Sequence, residues 1–408
     1  MTTLRHARLL PLAIAGLLLA GCAAHRETVA ETDEAAAVAP REAVAMLAAP
    51  PPSPPAPPAS AGLAAPPADA GASATLDRVM VSGERARGRV DAKAVAISKP
   101  EREEPRQQAQ SGTLTAGDYD DLLNPSQYAR YAERYLQDRA QPGLPFVDTR
   151  TPLKVRVVGK DGQPVAFADV STTDSHGRAL HLPTTANGTA VFFPSLDGLT
   201  GRVRLEVATK GTATIERSVD LNRLGRERTI TIPLPIAGRA PEALDLVLAI
   251  DTTGSMTDEL RYLQVELDSI VASLRRIRPG TDIRVGLVVY RDEGDEYVTR
   301  RFELTGDLAS LRRQLGDQQA NGGGDYPEAV DQAFIEANRF DWREDAAKVL
   351  LHVADAPPHA ERAAAAWEQA LALRSRGVHI VPVAASGVAD DAQYLMRSMA
   401  ALTQGRYL

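Results

Sequence analysis

The sequence predicts a multidomain protein. An α/β domain with a doubly wound, mostly parallel sheet is preceded by an all-β sandwich and a disordered N-terminal stalk. Two changes of pattern along the 408 residues carry this prediction. Apolar residues recur at every second position between about residues 153 and 236, as they do in strands with one buried face. From residue 244 onward, short apolar runs alternate with helical periodicity, which is typical of a parallel sheet covered on both sides.

The first 22 residues have the pattern of a bacterial lipoprotein signal. Two arginines precede an apolar run over residues 9–20, too short to span a bilayer comfortably, which ends in Leu-Ala-Gly-Cys. This resembles a lipobox, and the resemblance implies a signal peptide at 1–21 and lipidation of Cys22, the only cysteine in the chain. An ordinary signal peptide with an incidental cysteine is the alternative. Ala23 resembles the pattern of lipoproteins sent to the outer membrane, which implies an anchored protein in the envelope of a Gram-negative bacterium.

Residues 22–112 are rich in alanine, proline and glutamate and have almost no aromatic residues. Such a segment cannot bury enough apolar surface to offset its ordering entropy, so we predict a disordered tether. Residues 113–149 carry Tyr128, Tyr131 and Tyr135 at helical spacing, which predicts a short helix docked on a neighbour. The net charge of −7, with no concentrated basic patch, argues against a nucleic-acid-binding surface.

Residues 150–237 are predicted to form the β-sandwich. About seven short strands are separated by turns such as Asp161-Gly162 and Asn187-Gly188, which tolerate positive φ. The run Gly162-Gln163-Pro164-Val165 and the later segment 184–190 resemble carboxypeptidase-regulatory-like, transthyretin-like domains of bacterial envelope proteins. His176 and His181 could suggest a metal pair. Because no third ligand accompanies them in the sequence, surface or turn positions are favoured.

Residues 243–408 are predicted to form the α/β domain. Strands are expected at 244–250, 283–290, 298–304, 348–353 and 378–384. Helices are expected at 258–278, 308–318, 327–338, 360–376 and 392–402. Only seven residues, 291–297, separate the second strand from the third, so the third strand must return antiparallel to the second.

Polar side chains follow two of the buried strands at the point where each ends. Asp251, Thr253 and Ser255 come directly after the first strand, and Asp355 follows the fourth. The glycine-rich segment 321–325 is expected at the same edge of the sheet. The third strand ends at the opposite edge, and the helix that follows it runs back toward the edge that carries Asp251. Two aspartates placed together repel unless a cation lies between them, and these hard oxygen donors suit Mg²⁺, Mn²⁺ or Ca²⁺.

These three motifs, in this order, resemble the von Willebrand factor A domain, which has a Rossmann-like fold. The resemblance covers residues 243–408 and implies a metal-ion-dependent adhesion site that binds Mg²⁺ or Mn²⁺, with Ca²⁺ possible, and leaves a position open for a carboxylate of the ligand. It implies metal ligation by Asp251, Thr253, Ser255 and Asp355. Asp325 stands where the family usually has a threonine, so its contact with the metal stays open. The implied ligand rim consists of Gly323, Gly324, Tyr326 and Asp292.

Simpler interpretations of three of the polar residues stay open. Ser255 and Asp258 have the spacing of a capping box, which needs no metal. Asp325 could be a helix cap before Pro327. His352 is expected to be a core residue with its hydrogen bonds satisfied.

Three functions compete at this point. The first is a lipid-anchored, non-enzymatic module that binds a protein ligand or another envelope component through the cation. The second is a biogenesis or regulatory scaffold in which the sandwich makes the main contact. The third is a serine hydrolase with Ser255 as nucleophile, His359 as base and Asp355 as orienting group, but no Gly-x-Ser-x-Gly elbow is present. The chain ends at residue 408, where the family usually enters a last strand and helix, which implies an abbreviated domain or a truncated product.

Overall fold

The computed structural model describes residues 119–138, 144–225 and 228–408. The predicted signal peptide at 1–21, the lipidated Cys22 and the tether at 22–112 lie outside the described residues. Within the described ranges, no helix is both long and apolar enough to cross a bilayer.

Seven strands occur in the described part of residues 144–240, in two sheets. They are β1 (Leu153–Val158), β2 (Asp169–Asp174), β3 (Ala179–Pro183), β4 (Thr189–Phe192), β5 (Arg202–Ala208), β6 (Ile215–Asp220) and β7 (Thr229–Pro233). The orders are β4-β1-β7 and β3-β2-β5-β6. Side chains alternate between buried and accessible along β1 and β5, and both sheets contribute to one apolar core. The two-residue periodicity of the sequence therefore marks the face of each strand that packs into this core.

The α/β domain is built on one five-stranded sheet with the order β10-β9-β8-β11-β12. Its strands are β8 (Ala243–Asp251), β9 (Asp282–Tyr290), β10 (Thr299–Thr305), β11 (Ala346–Ala354) and β12 (Val378–Ala384). All neighbours run parallel except β10, which is antiparallel to β9 as its short connection requires. Because β8 and β11 are adjacent and parallel, the residues that follow them emerge at the same edge of the sheet.

Helices cover both faces of this sheet. In chain order the helices of the described residues are α1 (Pro125–Asp138), α2 (Pro194–Asp197), α3 (Thr257–Ile277), α4 (Leu308–Gly316), α5 (Val330–Asn338), α6 (Ala363–Ser375) and α7 (Asp390–Leu402). Two apolar cores result, one on each side of the sheet. The core on the side of α5, α6 and α7 also takes in Tyr128 of α1 and Phe193, which follows β4.

Two helices begin three residues later than the sequence predicts. Helix α5 begins at Val330 rather than at residue 327, because Glu328 pairs with Pro358 in a short parallel bridge and its N–H donates to the Pro357 carbonyl at 3.0 Å. The helix predicted at 360–376 is divided into a 3₁₀ turn, Ala360–Arg362, and α6. Both differences come from chain segments that are drawn toward the sheet edge, which local periodicity cannot reveal.

Helix α1 and the segment before it dock on α7. The Tyr128 hydroxyl lies 2.9 Å from the Ser398 hydroxyl, and the Tyr135 ring stacks on the Tyr394 ring at 4.3 Å. Asp121 accepts two hydrogen bonds from Arg397, at 3.0 and 2.6 Å. The tyrosines at helical spacing are therefore the contact face of α1.

An ion pair joins the α/β domain to the part of the chain that contains the two small sheets, β4-β1-β7 and β3-β2-β5-β6. Arg374 of α6 donates to both carboxylate oxygens of Asp197, at 2.6 and 2.9 Å, and to the Val191 carbonyl at 2.8 Å. The two side chains are only 5% and 3% exposed. Because this pair is withdrawn from water, each partner depends on the other for its solvation.

Replacing Arg374 with methionine is therefore expected to lower the free energy of unfolding by about 3–5 kcal/mol, because it leaves the buried Asp197 carboxylate without its partner. Urea denaturation monitored by circular dichroism measures the loss. Arg339→Met is a matched control, since Arg339 is 61% exposed in its ion pair with Glu336 and exposed pairs contribute about 0–1 kcal/mol. Equal losses in the two variants would contradict the prediction.

Candidate metal centre

The loop after β8 holds a buried carboxylate with one oxygen unused. Asp251 is fully buried, and its Oδ1 accepts from the Thr253 N–H at 2.9 Å and from the Thr253 hydroxyl at 2.7 Å. Asp251 Oδ2 is also buried but has no hydrogen-bond partner. Buried polar atoms are rarely left unpaired, so this oxygen is free to meet a group that the chain itself does not supply.

Asp355 lies beside this loop, because it follows the strand next to β8. Its side chain is hydrogen-bonded by the Ser255 side chain, and the Ser255 hydroxyl is also 3.4 Å from that of Thr253. Ser255 does not cap α3: the N-cap residue is Met256, and no side chain makes a capping hydrogen bond there. The capping-box interpretation is therefore wrong. Asp251, Thr253, Ser255 and Asp355 form one chain of contacts.

The glycine loop packs tightly against the first loop. The Gly254 N–H donates to the Gly322 carbonyl at 3.1 Å, and the Asn321 N–H donates to the Thr252 carbonyl at 3.0 Å. Gly323 has φ of 74°, and a Cβ there would lie 2.9 Å from Thr253 Cβ. Glycine is therefore required at 323 both for the backbone conformation and for the close approach.

Two further buried carboxylates adjoin these loops. Asp292 is 6% exposed and Glu328 is 3% exposed, and one Glu328 oxygen, Oε2, has no hydrogen-bond partner. Sequence reasoning placed Asp292 only on the rim and gave Glu328 no role. The available signal was the position of Glu328 directly after the glycine loop, within a segment that was predicted to be helical.

Burial dominates the electrostatics of this cluster. The pKa of Asp251 is raised to about 7, mainly by burial; the charges of Asp355 and Asp292 contribute to this rise, and the hydrogen bonds from Thr253 oppose it. Burial likewise raises the pKa of Glu328 to about 9, with a contribution from the charge of Asp251, and the pKa of Asp355 is raised mainly by burial. The charged forms of Asp251, Glu328 and Asp355 are thus disfavoured without a nearby cation.

The chemistry of these donors fits a hard divalent cation. The donor atoms are carboxylate and hydroxyl oxygens, which suit Mg²⁺, Mn²⁺ and Ca²⁺ rather than a soft metal. Within the described residues, no group of three or more histidine, cysteine, aspartate and glutamate side chains is arranged to hold a metal ion by itself. A cation at Asp251 would therefore also need the hydroxyls of Thr253 and Ser255.

Asp325 differs from the buried carboxylates because its side chain is exposed to solvent. Asp325 is exposed, and it does not cap α5, whose N-cap residue is Ala329. The interpretation of Asp325 as a helix cap is therefore wrong. Of the other predicted rim residues, Gly324 is exposed with open space around it, and Tyr326 is 43% exposed. The Tyr326 hydroxyl donates to the Asp355 carbonyl at 2.9 Å, so this residue lies at the mouth of the site.

The pairings of Ser255 and His359 differ from those of a serine hydrolase. His359 Nε2 lies 2.7 Å from Asp292 Oδ1, and this hydrogen bond raises the pKa of the histidine. Ser255 instead pairs with Asp355. The predicted triad requires His359 as the base of Ser255 and Asp355 as the group that orients His359, whereas here His359 pairs with Asp292.

Three other histidines of the described residues have hydrogen-bond partners outside the Asp251 loop. His352 is 2% exposed, its Nε2 is 2.9 Å from the Tyr290 hydroxyl, and burial lowers its pKa to about 3. It is therefore a neutral core residue, although its Nδ1 lacks the partner that was expected. His181 is exposed with Nδ1 2.6 Å from the Ser171 hydroxyl, and the His176 side chain is 68% exposed.

Residues 245–407 match the von Willebrand factor type A domain. The chain therefore contains such a domain, and domains of this type often mediate protein–protein interaction with metal-dependent adhesion.

Two relatives match parts of the chain. Alpha-protein kinase vwkA of Dictyostelium discoideum is 27% identical over 165 residues, 40% of this chain and 26% of that protein. The putative ariadne-like RING finger protein R811 of Acanthamoeba polyphaga mimivirus is 32% identical over 121 residues, 28% of this chain and 11% of that protein. The match thus spans about a quarter of the first relative and a tenth of the second.

Two solved structures are also similar. One is an aerotolerance-related membrane protein of Bacteroides fragilis, with 15% identity over 40% of this chain and 90% of that chain and a TM-score of 0.29. The other is the pilus adhesin SpaC of Lactobacillus rhamnosus GG, with 12% identity over 50% of this chain and 28% of that chain and a TM-score of 0.32.

Proposed function

We propose that the von Willebrand factor type A domain of this chain binds a protein partner, or another envelope component, through a divalent cation held by Asp251, Thr253, Ser255 and Asp355. The observation that carries the proposal is the buried, unpartnered Oδ2 of Asp251 beside a second buried carboxylate. Mg²⁺ or Mn²⁺ is the proposed ion, and Ca²⁺ is chemically acceptable to the same oxygens.

Each residue of the proposed site has a different role in binding. Asp251 is held by two hydrogen bonds from Thr253, which fix Oδ1 and leave Oδ2 for the cation. The Ser255 hydroxyl links the first loop to Asp355. The bound cation supplies a positive charge and a coordination position for the partner. The exposed Tyr326 lies beside that position and offers a surface that a protein partner can contact.

We further propose that Cys22 carries a lipid that anchors the chain in the outer membrane of a Gram-negative bacterium, with residues 22–112 as the tether. The support is the sequence pattern of residues 1–22 and the composition of the tether. A flexible coil of this length spans roughly 50 Å on average, so the binding domain could reach partners at a distance from the membrane. In this scheme residues 150–237 are a transthyretin-like β-sandwich between the tether and the site.

The proposed role is binding rather than catalysis. Von Willebrand factor type A domains mostly serve adhesion and interaction. The kinase in the name of the Dictyostelium relative is not carried over, because the match spans only 26% of that protein. In addition, His359 pairs with Asp292 and Ser255 pairs with Asp355, which is not the Ser255–His359–Asp355 arrangement that the hydrolase hypothesis requires.

Isothermal titration of the full-length chain with Mn²⁺ and Mg²⁺ tests the proposal. We expect saturable binding of one ion, because one pair of carboxylates with two hydroxyls makes one site. Asp258→Asn is a suitable control, since Asp258 is an exposed carboxylate only three residues beyond Ser255 and its variant should bind normally. If the wild-type chain binds neither Mn²⁺ nor Mg²⁺, the proposal is wrong.

A second experiment tests whether partner binding depends on the cation. Crosslinking from envelopes with and without EDTA should recover a partner only when divalent ions are present. A partner recovered equally in EDTA would show that another surface, such as the small sheets, makes the contact.

A further inference from the structure

We propose that Glu328 is a further carboxylate of the cation site and that it closes the site to acidic ligand groups. This inference rests on the proposed function. It assigns to Glu328, rather than to Asp325, the place that the sequence pattern gives to a threonine of the second loop.

The backbone of Glu328 is fixed between two of the site's loops. Its N–H donates to the Pro357 carbonyl at 3.0 Å, in the loop that follows Asp355. The next residue, Ala329, donates to the Arg291 carbonyl at 3.3 Å, in the loop that follows β9. The backbone of Glu328 therefore cannot move away from the site without breaking the hydrogen bonds that join these loops.

The side chain of Glu328 points toward the first loop. A Cβ built on Gly323 would lie 3.0 Å from Glu328 Oε1 and 2.9 Å from Thr253 Cβ, so both side chains border the space that this glycine leaves open. The other oxygen, Oε2, is buried and has no hydrogen-bond partner. Glu328 and Asp251 thus each bring an unpartnered, buried carboxylate oxygen to the same cluster.

Arg291 and His359 make their hydrogen bonds and ion pairs with partners other than Glu328. The Arg291 guanidinium donates to the Thr252 carbonyl at 3.2 Å and to the Gln319 carbonyl at 2.8 Å, and it lies 3.6 Å from Glu296. His359 pairs with Asp292. A buried carboxylate without a partner is strongly unfavourable, so a divalent ion beside Asp251 is the group that would satisfy Glu328.

Asp325 lacks the features that favour Glu328. It lies three residues earlier in the same segment, is exposed to solvent and is not the N-cap residue of α5. An exposed carboxylate is satisfied by water and gains little from a metal ion. Asp325 is therefore a matched control for Glu328, with the same charge in the same loop.

The assignment has a consequence for the ligand. When a divalent ion is bound and the carboxyl groups of Asp251, Asp355 and Glu328 are ionised, they together carry more negative charge than that ion neutralises. A further carboxylate from a partner would add to this excess in a low-dielectric site, where repulsion between like charges is strong. The ligand group that completes the shell should then be a neutral oxygen rather than a carboxylate.

Mn²⁺ titration of the full-length chain tests the first part of the inference. Glu328→Gln is expected to weaken Mn²⁺ binding at least as much as the loss of an outer-shell partner does, roughly 10-fold or more. Asp325→Asn should bind like the wild type. If the wild type binds Mn²⁺ and Glu328→Gln binds equally well, this inference fails while the proposed function stands. If the wild type does not bind, the proposed function itself fails.

Folding of the variant is measured separately, without metal. Glu328→Gln replaces a carboxyl group that has an unpartnered buried oxygen by a neutral amide of the same size, so its urea midpoint in EDTA should be no lower than that of the wild type. If the glutamine variant does not fold, Glu328→Met occupies a similar volume without polar atoms and takes the same test. Weaker Mn²⁺ binding by a variant with an unchanged midpoint supports a ligand role, whereas unweakened binding by a folded variant overturns it.

Acetate is the probe for the second part. Water-proton relaxation by the bound Mn²⁺ reports whether acetate displaces coordinated water. Acetate should leave the relaxation of the wild-type complex unchanged and should lower it for Glu328→Gln at saturating Mn²⁺. Displacement of water by acetate in the wild type would overturn the exclusion of acidic ligands.

Discussion

Replacing Asp251 with asparagine is expected to abolish binding of Mn²⁺ and Mg²⁺. The loss should exceed the roughly 10–100-fold that removal of an outer-shell partner costs, because the substitution removes the carboxylate whose free oxygen faces the site. Asparagine keeps an oxygen that can accept the two hydrogen bonds from Thr253, so the loop should retain its conformation. Isothermal titration of the variant beside the wild type measures the effect.

The stability of the metal-free variant separates a lost ligand from a damaged fold. Without metal, the urea midpoint of Asp251→Asn should be no lower than that of the wild type, because a buried charge with an unpaired oxygen is replaced by a neutral group. Mn²⁺ should then raise the midpoint of the wild type alone, since a ligand stabilises the state that binds it. Wild-type affinity in the variant would contradict the assignment of Asp251.

The position of the site follows from the sequence through strand direction. The apolar runs ending at Asp251 and Asp355 predicted two parallel strands, and their carboxyl ends meet at one edge because β8 and β11 are neighbours. The antiparallel return of β10 followed from the length of the turn before it. In both cases local pattern and chain connectivity together determine where a residue lies, and both can be read from one sequence.

The identity of every carboxylate in the site does not follow in this way. Asp325 and Glu328 both come after the glycine run, and their spacing does not reveal which of them is buried. That depends on the bridge between Glu328 and Pro358, a pairing of segments 30 residues apart in sequence. The pairing of His359 with Asp292 is likewise a contact between distant loops. Such contacts depend on tertiary packing, for which local periodicity carries no signal.

Asp245, at the opposite end of β8, is a buried aspartate with every oxygen satisfied. Its carboxylate accepts from Arg284 at 3.0 and 2.8 Å, from the Arg343 N–H at 2.8 Å and from Arg343 Nε at 2.9 Å. The two arginines hold its pKa below the usual value although burial opposes them. This network joins β8 to β9 and to the segment that leads into β11.

Replacing Asp245 with asparagine is expected to lower the free energy of unfolding by about 3–5 kcal/mol, because two partly buried guanidinium groups lose their counter-charge. Urea denaturation at neutral pH measures the loss. Asp282→Asn is the control: Asp282 also pairs with Arg343, but its side chain is 70% exposed, and exposed pairs contribute about 0–1 kcal/mol.

The same comparison has a pH dependence of known sign. Because the folded-state pKa of Asp245 is lower than the usual value for aspartate, its contribution to stability is present above the unfolded-state pKa of about 3.9 and is lost as the pH falls through the folded-state pKa. The difference between wild type and Asp245→Asn should therefore narrow in that acidic range. A difference that stays constant on acidification would show that lost packing, rather than lost charge, destabilises the variant.

The contrast between the two aspartates of β8 is itself an argument for the site. Both are fully buried on the same strand, but Asp245 is neutralised by arginines of the chain, whereas Asp251 keeps an oxygen without a partner. If both carboxylates were structural, both substitutions should destabilise the fold. We expect destabilisation from Asp245→Asn alone and loss of cation binding from Asp251→Asn alone. That opposite pair of outcomes would distinguish a carboxylate held for stability from one held for a ligand.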